Sequence, residues 1–153
     1  AVRAPVWIAR RPPPRFTSVL AAVSGGRSSA AVCRAAAAVA AALGARASFL
    51  HVVSEVVLPF GDRPLPDEAE EPQAQARAAV AAAGHPAALA VREGLVVDEV
   101  LDEFERGAHD LLVLGTSDEA ERARFGREDL TERMLLRCPA STLIVPADGL
   151  ALD

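Results

Sequence analysis

The sequence contains no lysine, and all 16 of its basic residues are arginine. A P-loop nucleotide site needs a lysine that reaches the β- and γ-phosphates, so this class of site is excluded. Acidic residues number 21, which gives a formal net charge of −5. A general nucleic-acid surface needs clustered positive charge, and we therefore expect no nucleic-acid partner.

Long hydrophobic runs are also lacking, although 51% of the residues are hydrophobic. The longest apolar block, 35–43, is mostly alanine and is far shorter than the roughly 20 residues that a transmembrane helix needs. Charge and proline in the segment 10–14 interrupt the only hydrophobic start, so no secretory signal is evident. We therefore expect a cytoplasmic protein without direct membrane insertion.

Cysteine and histidine are scarce, with two and three residues respectively. Cys33 and Cys138 lack metal-ligand spacing, and we interpret them as buried structural thiols in a reducing compartment. His51 lies in an apolar strand and is interpreted as a core histidine, whereas His85 and His109 are expected to be exposed. The histidines share no metal-site spacing and have no evident nucleophile or orienting partner. The sequence thus predicts no metal site and no catalytic residue, and we expect a protein that is not an enzyme.

Short apolar runs alternate with amphipathic segments along most of the chain. Five strands are predicted within 16–23, 47–53, 87–92, 111–114 and 143–145. Between them, helical spacing or alanine-rich composition predicts helices from Ser28 or Ser29 to Gly44, over about 73–83, from about 95 to Gly107, and from about 130. The segment 55–72, with several prolines and an acidic run, is predicted to be a surface excursion. The order βαβαβαβαβ predicts an α/β fold with a five-stranded, mostly parallel sheet covered by helices on both faces.

Four segments, in this order and spacing, resemble the universal stress protein family. They are VLAAVSGG at 19–26, ALGARASFLHVV at 42–53, REGLVVDEVLDEF at 92–104, and LLVLG at 111–115 followed by TERMLLRCPASTLIV at 131–145. The resemblance implies a Rossmann-like, adenine nucleotide alpha hydrolase-like three-layer sandwich with five parallel strands. It also implies a homodimer that usually associates through the last strand. The family contains members that bind ATP and members that do not.

The motif of the ATP-binding members is only partly present. Those members carry G-x2-G-x9-G-[S/T] after the fourth strand and an aspartate at the end of the first. Gly115 matches the first glycine, but Asp118, Glu128 and Asp129 stand at the remaining positions, and Ser24 replaces the aspartate. One carboxylate about 4 Å from a phosphate costs about 4 kcal/mol at an effective dielectric constant near 20. We therefore interpret the nucleotide site as eroded.

Three glycines remain weak candidates for a residual nucleotide site, namely Gly25, Gly115 and Gly126. Gly126 would serve only if a shifted loop let it bracket a phosphate together with Gly115. The arginines of 122–127 could recruit an anion or pair with neighbouring carboxylates in a solvated loop, and we favour the second interpretation. The first functional hypothesis is a non-enzymatic stress-response or regulatory dimerisation module without a cofactor. The second is a regulatory protein that binds ATP or another adenine nucleotide.

Residues 1–15 form a separate segment, in which a strand-like run precedes a Pro/Arg linker. The run Ala4–Ala9 resembles the end of the domain, Ala140–Val145. It is either the tail of a preceding domain in a tandem or fused protein, or an extra strand that pairs with a sheet edge or a partner chain. We predict a domain at 16–146 and a C-terminal tail at 147–153. The residues predicted at a homodimer interface are Leu143, Ile144 and Val145, with Val6, Trp7 and Ile8 as additional candidates.

Overall fold

The computed structural model describes residues 4–54, 66–85, 88–116 and 130–147, of which 66–69 are described by their backbone only. The strands are β1 (Val6–Ile8), β2 (Ser18–Ala22), β3 (Arg46–Ser54), β4 (Leu89–Gly94), β5 (Leu111–Gly115) and β6 (Ser141–Val145). The helices are α1 (Ser29–Leu43), α2 (Pro66–Ala82), α3 (Val96–Arg106) and α4 (Leu130–Arg137).

All six strands form one sheet in the order β1-β6-β5-β2-β3-β4. The five strands β2 to β6 are parallel to one another, as the alternation of strands and helices predicted. The sheet has a sixth strand because β1 pairs antiparallel with the outer edge of β6. The prediction of an α/β fold is confirmed, and the predicted number of strands is corrected from five to six.

Apolar side chains cover both faces of the sheet. On one face, Val19, Phe49 and Val113 pack against α1 and α2, and on the other Leu20 and Leu112 pack against α3 and α4. Neighbouring residues of one strand, such as Val19 and Leu20, serve opposite faces because side chains alternate along a strand. Burying one such leucine or valine completely contributes about 1.5–3 kcal/mol.

Helix α2 begins earlier than the sequence indicated. Residues 66–72 were predicted within a surface excursion, but they form the first turns of α2; residues 55–65 lie outside the described residues. Pro66 suits the first helical position, where its missing N–H has no intrahelical partner to lose. Pro72 lies inside the helix, at a point where the helix contacts the turn after β2. This packing contact favours the helical conformation at Pro72, whereas the local preference of proline disfavours it.

Candidate functional site

The candidate site lies at the carboxyl ends of β2 and β5. These two strands are neighbours in the sheet, with Val19 opposite Leu111 and Ala21 opposite Val113. From β2 the chain proceeds to β3 on one side, whereas β5 lies on the other, so a crevice opens between their carboxyl ends. In open α/β sheets such a switch point is the usual place for a ligand. Gly25 follows β2 and Gly115 ends β5, so the structure brings these two predicted residues to one crevice.

The turn after β2 uses its own amide groups internally. The N–H of Gly25, a residue with φ of 82°, donates to Ser29 Oγ at 2.9 Å. The N–H of Gly26 donates to Ser24 Oγ at 3.1 Å. Successive free N–H groups in such a turn form an anion-binding concavity. Here both glycine amides are bonded to serine hydroxyls instead.

Helix α2 packs directly on Gly25. A Cβ atom built at Gly25 would overlap the carbonyl group of Pro72 and would lie 2.7 Å from the Pro72 Cα. The space beside Gly25 is therefore filled by backbone, which cannot move aside as a flexible side chain can. The glycine is needed here both for its positive φ and for this close approach of α2.

Gly115 is enclosed by the start of α1. A Cβ at Gly115 would lie 2.7 Å from Ser28 Cβ and 3.0 Å from Val32 Cγ2. Ser28 occupies the N-cap position of α1, at the predicted start of the helix, but its side chain makes no capping hydrogen bond. The carbonyl of Gly115 accepts a hydrogen bond from Thr131 Oγ1 at 2.9 Å. The end of β5 is thus tied to α4 and is in contact with α1.

The remaining positions of the predicted motif are not covered by the structure. Gly126, Asp118, Glu128 and Asp129 lie outside the described residues. Ser24, which stands at the aspartate position of the ATP-binding members, uses its hydroxyl to hold Gly26. Sequence reasoning did not single out Ser29 as a partner of Gly25, although paired serines after two glycines are a visible signal.

A small cleft lies beside this crevice on the other face of the sheet. Its volume is about 140 Å³, and it is lined by Ser54, the first turn of α3 (95–98), Leu130 and Arg133. Pockets for drug-sized ligands usually measure about 300–1,000 Å³. The volume lined by the described residues is below that range.

His51 is buried, as the sequence predicted. Its ring Nδ1 lies 2.7 Å from the carbonyl oxygen of Val23, so Nδ1 carries the proton and donates a hydrogen bond to that carbonyl. Burial lowers the pKa of His51; the hydrogen bond to Val23 opposes this effect, and Arg77 adds to it. The imidazole ties the middle of β3 to the end of β2.

His109 differs from its prediction. It was expected to be exposed, but its side chain is only 4% exposed because it lies between β2 and α3. Its Nδ1 is 2.7 Å from Ser18 Oγ, and its Nε2 is 3.9 Å from Glu103 Oε1, beyond hydrogen-bond distance. Burial lowers the pKa of His109, while Glu103 and Asp110 raise it and Arg46 lowers it. This cluster lies at the amino ends of the strands, on the opposite edge of the sheet from the candidate site.

The described residues offer neither a metal site nor a membrane-spanning helix. In the segments that the structure describes, no group of three His, Cys, Asp or Glu side chains is placed to hold a metal ion. None of the helices in those same segments is both long enough and apolar enough to cross a membrane.

Comparison with known proteins gives a family and a set of related folds. The model of the universal stress protein family matches residues 15–146, most of the chain. A comparison with curated proteins gave no significant match. A structure assigned to the universal stress proteins of Pseudomonas aeruginosa UCBPP-PA14 aligns with a TM-score of 0.69 at 20% identity, covering 93% of this chain and 52% of that one. This chain therefore spans about half the length of the Pseudomonas protein.

Two similar structures contain nucleotides. A universal stress protein in complex with cAMP aligns with a TM-score of 0.53 at 22% identity, covering 87% of this chain and 98% of that one. The protein from Archaeoglobus fulgidus in complex with dAMP aligns with a TM-score of 0.54 at 20% identity, covering 84% and 97%. At these identities the likeness concerns the fold alone.

Proposed function

The chain belongs to the universal stress protein family, and we propose that it is a non-enzymatic, stress-related regulatory module that acts by association and has an eroded nucleotide site. The observation that carries this proposal is the turn after β2. The amides of Gly25 and Gly26, which would close on an anion, donate to Ser29 and Ser24. A nucleotide would have to break both hydrogen bonds and displace α2 from Gly25.

The composition of the motif supports the same proposal. Asp118, Glu128 and Asp129 replace the two later glycines and the Ser/Thr of the ATP-binding motif. Each carboxylate near a triphosphate adds repulsion, whereas a glycine would offer a free amide. Ser24 also lacks the charge of the aspartate that it replaces.

The alternative is a regulatory protein that binds ATP or another adenine nucleotide. Two proteins with the same fold were solved with cAMP and with dAMP. Gly25 and Gly115 of this chain face one crevice at the switch point of the sheet, where such ligands are expected. These are the observations in its favour.

The proposal that the chain is not an enzyme is supported by the geometry of one cluster of polar side chains. Ser18, His109 and Glu103 lie side by side in the order of a catalytic nucleophile, its base and the carboxylate that orients the base. However, Ser18 is 1% exposed, and the Nε2 of His109 is 3.9 Å from the carboxylate. A nucleophile needs access to its substrate and an oriented base, and this cluster offers neither.

A cytoplasmic location is part of the proposal. Cys33 and Cys138 are free and buried, and burial raises the pKa of the Cys33 thiol to about 12. A buried, protonated thiol is a packing residue, and unpaired cysteines are usual where glutathione keeps thiols reduced.

Calorimetric titration of the purified chain with ATP, AMP and cAMP tests the eroded site. We expect no binding tighter than about 1 mM, since a micromolar dissociation constant needs about −8 kcal/mol. The matched variant Ser29→Ala releases the amide of Gly25 and is expected to bind at least as well as the parent. Micromolar binding that is weakened by Gly115→Val would contradict the proposal and would locate the nucleotide in the crevice.

The partner that we propose is a second copy of the chain. The predicted interface lies at the β6 edge of the sheet, where β1 now lies on the outside. The residues concerned are Leu143, Ile144 and Val145 of β6 and Val6, Trp7 and Ile8 of β1.

A further inference from the structure

The side chain of His109 is buried in the turn that joins α3 to β5. It is only 4% exposed, and its ring centroid lies 6.1 Å from that of Phe104. The ring also lies against the backbone of Gly107, where a Cβ atom would be 2.7 Å from His109 Cδ2 and would overlap Nε2. Ser18 of β2 contacts the ring from the sheet. The ring therefore fills the space between the last turn of α3 and the amino end of β2.

One nitrogen of the His109 ring has a hydrogen-bond partner and the other has none. Nδ1 lies 2.7 Å from Ser18 Oγ. Among the described residues, Nε2 is buried without a partner, and Glu103 Oε1 is 3.9 Å away from it. A neutral imidazole has one N–H group, and on Nδ1 this group can donate to Ser18. An imidazolium has two N–H groups, so the second would be buried without an acceptor, which is unfavourable.

Glu103 is kept away from His109 by its ion pair with Arg92 of β4. Arg92 Nη2 donates to Glu103 Oε2 at 2.5 Å. The same guanidinium binds Asp102 at 2.9 Å and lies 3.4 Å from Glu99, so three carboxylates of α3 surround it. To accept a hydrogen bond from His109 Nε2, the Glu103 carboxylate would have to move by about 1 Å. That movement would disturb its contact with Arg92.

The remaining charges around the ring do not replace this acceptor. The charged groups that face His109 from the described elements are Glu103 of α3 with Arg92 behind it, Arg46 at the start of β3, and Asp110. Asp110 favours a positive charge on the ring, but its carboxylate already accepts hydrogen bonds from the start of β2, and Arg46 disfavours that charge. Burial is the largest effect, and it lowers the pKa of His109. The site therefore fits the neutral ring.

The backbone of the α3–β5 turn, residues 107–110, is held against a local preference. Ala108 has φ of 50°, in the left-handed region that alanine rarely adopts. The four amides of the turn donate to carbonyl groups at 2.9–3.1 Å, three of them to carbonyls of α3 and the last to that of Ser18. An open turn would let Ala108 return to a negative φ. Packing around the His109 ring therefore helps to keep the turn closed.

We propose that His109 is a pH switch that opens the α3–β5 turn and the last turn of α3 in acid. The neutral ring stays buried and the turn stays closed. When the ring takes a second proton, the N–H on Nε2 has no acceptor, and the ring moves out to water. Local opening then exposes Phe104, which is 6% exposed in the closed protein, while the rest of the sheet stays folded. This inference rests on the proposed regulatory function, to which it adds acid as the signal.

Residue-resolved amide hydrogen exchange at pH 7.5 and 5.5 tests the switch. The rates are first corrected for the intrinsic pH dependence of exchange in free amides. Since an unperturbed histidine titrates near pH 6.5, the opening equilibrium constant of 107–110 should rise by up to about tenfold between the two conditions. The end of α1 is the internal control, because the amides of Gly44 and Ala45 close a similar turn there. Equal changes at the two turns would mean that only global stability responds to acid, and the switch would be overturned.

His109→Asn assigns the opening to the ring. Asparagine retains a donor beside Ser18 and cannot be protonated. The corrected exchange of 107–110 should then be the same at pH 7.5 and 5.5. His51→Asn is the matched control, since it removes the other buried histidine and should leave the change at 107–110 as in the parent. The switch fails if the acid response of this turn survives in His109→Asn.

Gly107→Ala should open the turn without a proton. Gly107 has φ of −79°, which alanine adopts readily, but the new Cβ would overlap the His109 ring. At pH 7.5 the corrected exchange of 108–110 should reach at least the level of the parent at pH 5.5. A variant that stays closed at pH 7.5 and keeps the parent's acid response would show that the ring does not hold the turn, which overturns the switch. Micromolar nucleotide binding in the calorimetric titration would overturn the proposed function and leave these exchange results unchanged, so the two failures are distinguishable.

Discussion

Replacement of Gly25 with alanine should lower the free energy of unfolding by roughly 3 kcal/mol. A positive φ costs an alanine about 1–2 kcal/mol, and forcing an atom into a packed region costs about 1–3 kcal/mol more. The second cost applies because the new Cβ would overlap the backbone of Pro72. For a chain of this size the melting temperature should fall by about 6–12 °C, which calorimetry or urea unfolding would measure.

Gly84→Ala is the matched control for this prediction. Gly84 also has a positive φ, of 90°, but a Cβ there would meet no atom within 4 Å. Its substitution should cost only the conformational part, about 1–2 kcal/mol. Equal losses in the two variants would mean that α2 does not press on Gly25, and the structural interpretation of the crevice would then fail.

Acidification below about pH 6.5 should destabilise the protein through its two buried histidines. Burial lowers the folded-state pKa of both His51 and His109 from an ordinary value of 6.5. The unfolded chain therefore binds more protons, so the stabilisation is complete above pH 6.5 and is lost as the pH falls toward the folded-state values. Each histidine contributes up to about 1.4 kcal/mol per pH unit in this range. Urea unfolding should therefore show a lower free energy of unfolding at pH 5.5 than at pH 7.5.

Single substitutions assign this pH dependence to its residues. His51→Asn retains a donor near the Val23 carbonyl but cannot be protonated, and His109→Asn does the same beside Ser18. Each variant should show a smaller difference between pH 7.5 and 5.5 than the parent does. A difference that persists in the double variant would place the titration in other groups.

The proposed loss of nucleotide binding has a structural counterpart in the crevice. Ser29 at the start of α1 accepts the hydrogen bond of the Gly25 amide, and the backbone of α2 fills the space beside Gly25. A glycine lets another group come close to its backbone because it has no Cβ, and that group can be a phosphate or a packed helix. Glycine at a strand end is therefore evidence of close packing first, and of a ligand only when the surrounding donors are free.

Much of the fold could be predicted from periodicity alone. Gly44 ends α1 with φ of 65°, as predicted, because its N–H reaches the last carbonyls only in the left-handed conformation. Val97, Val100 and Phe104 are buried on one face of α3, and their spacing of three and four residues is the helical pattern from which this helix was predicted. The start of α2 was missed because two prolines and acidic residues resemble a loop locally, whereas packing against the turn after β2 is a non-local contact.

Part of the geometry around the candidate residues followed from the sequence, whereas their role in nucleotide binding stays a prediction. The positions of Gly25 and Gly115 followed from strand order, since parallel strands that are neighbours end at one edge. The bonding of Gly25 to Ser29 and the burial of His109 did not follow, because both depend on how a helix approaches the sheet. The way in which a helix packs against the sheet decides which side chains meet, and the local sequence gives little indication of it.

The sequence by itself determined the α/β class, the five parallel strands and the departures from the ATP-binding motif. All three depend only on the spacing of apolar residues and on which residue stands at a given position. Only the tertiary structure decided that β1 pairs antiparallel with β6, that Arg10 holds it there, and that Pro72 meets Gly25. The physical reason is that the edge of a sheet and the end of a helix present unpaired N–H and C=O groups whatever the sequence is. Which segment satisfies those groups is settled by geometry between distant parts of the chain.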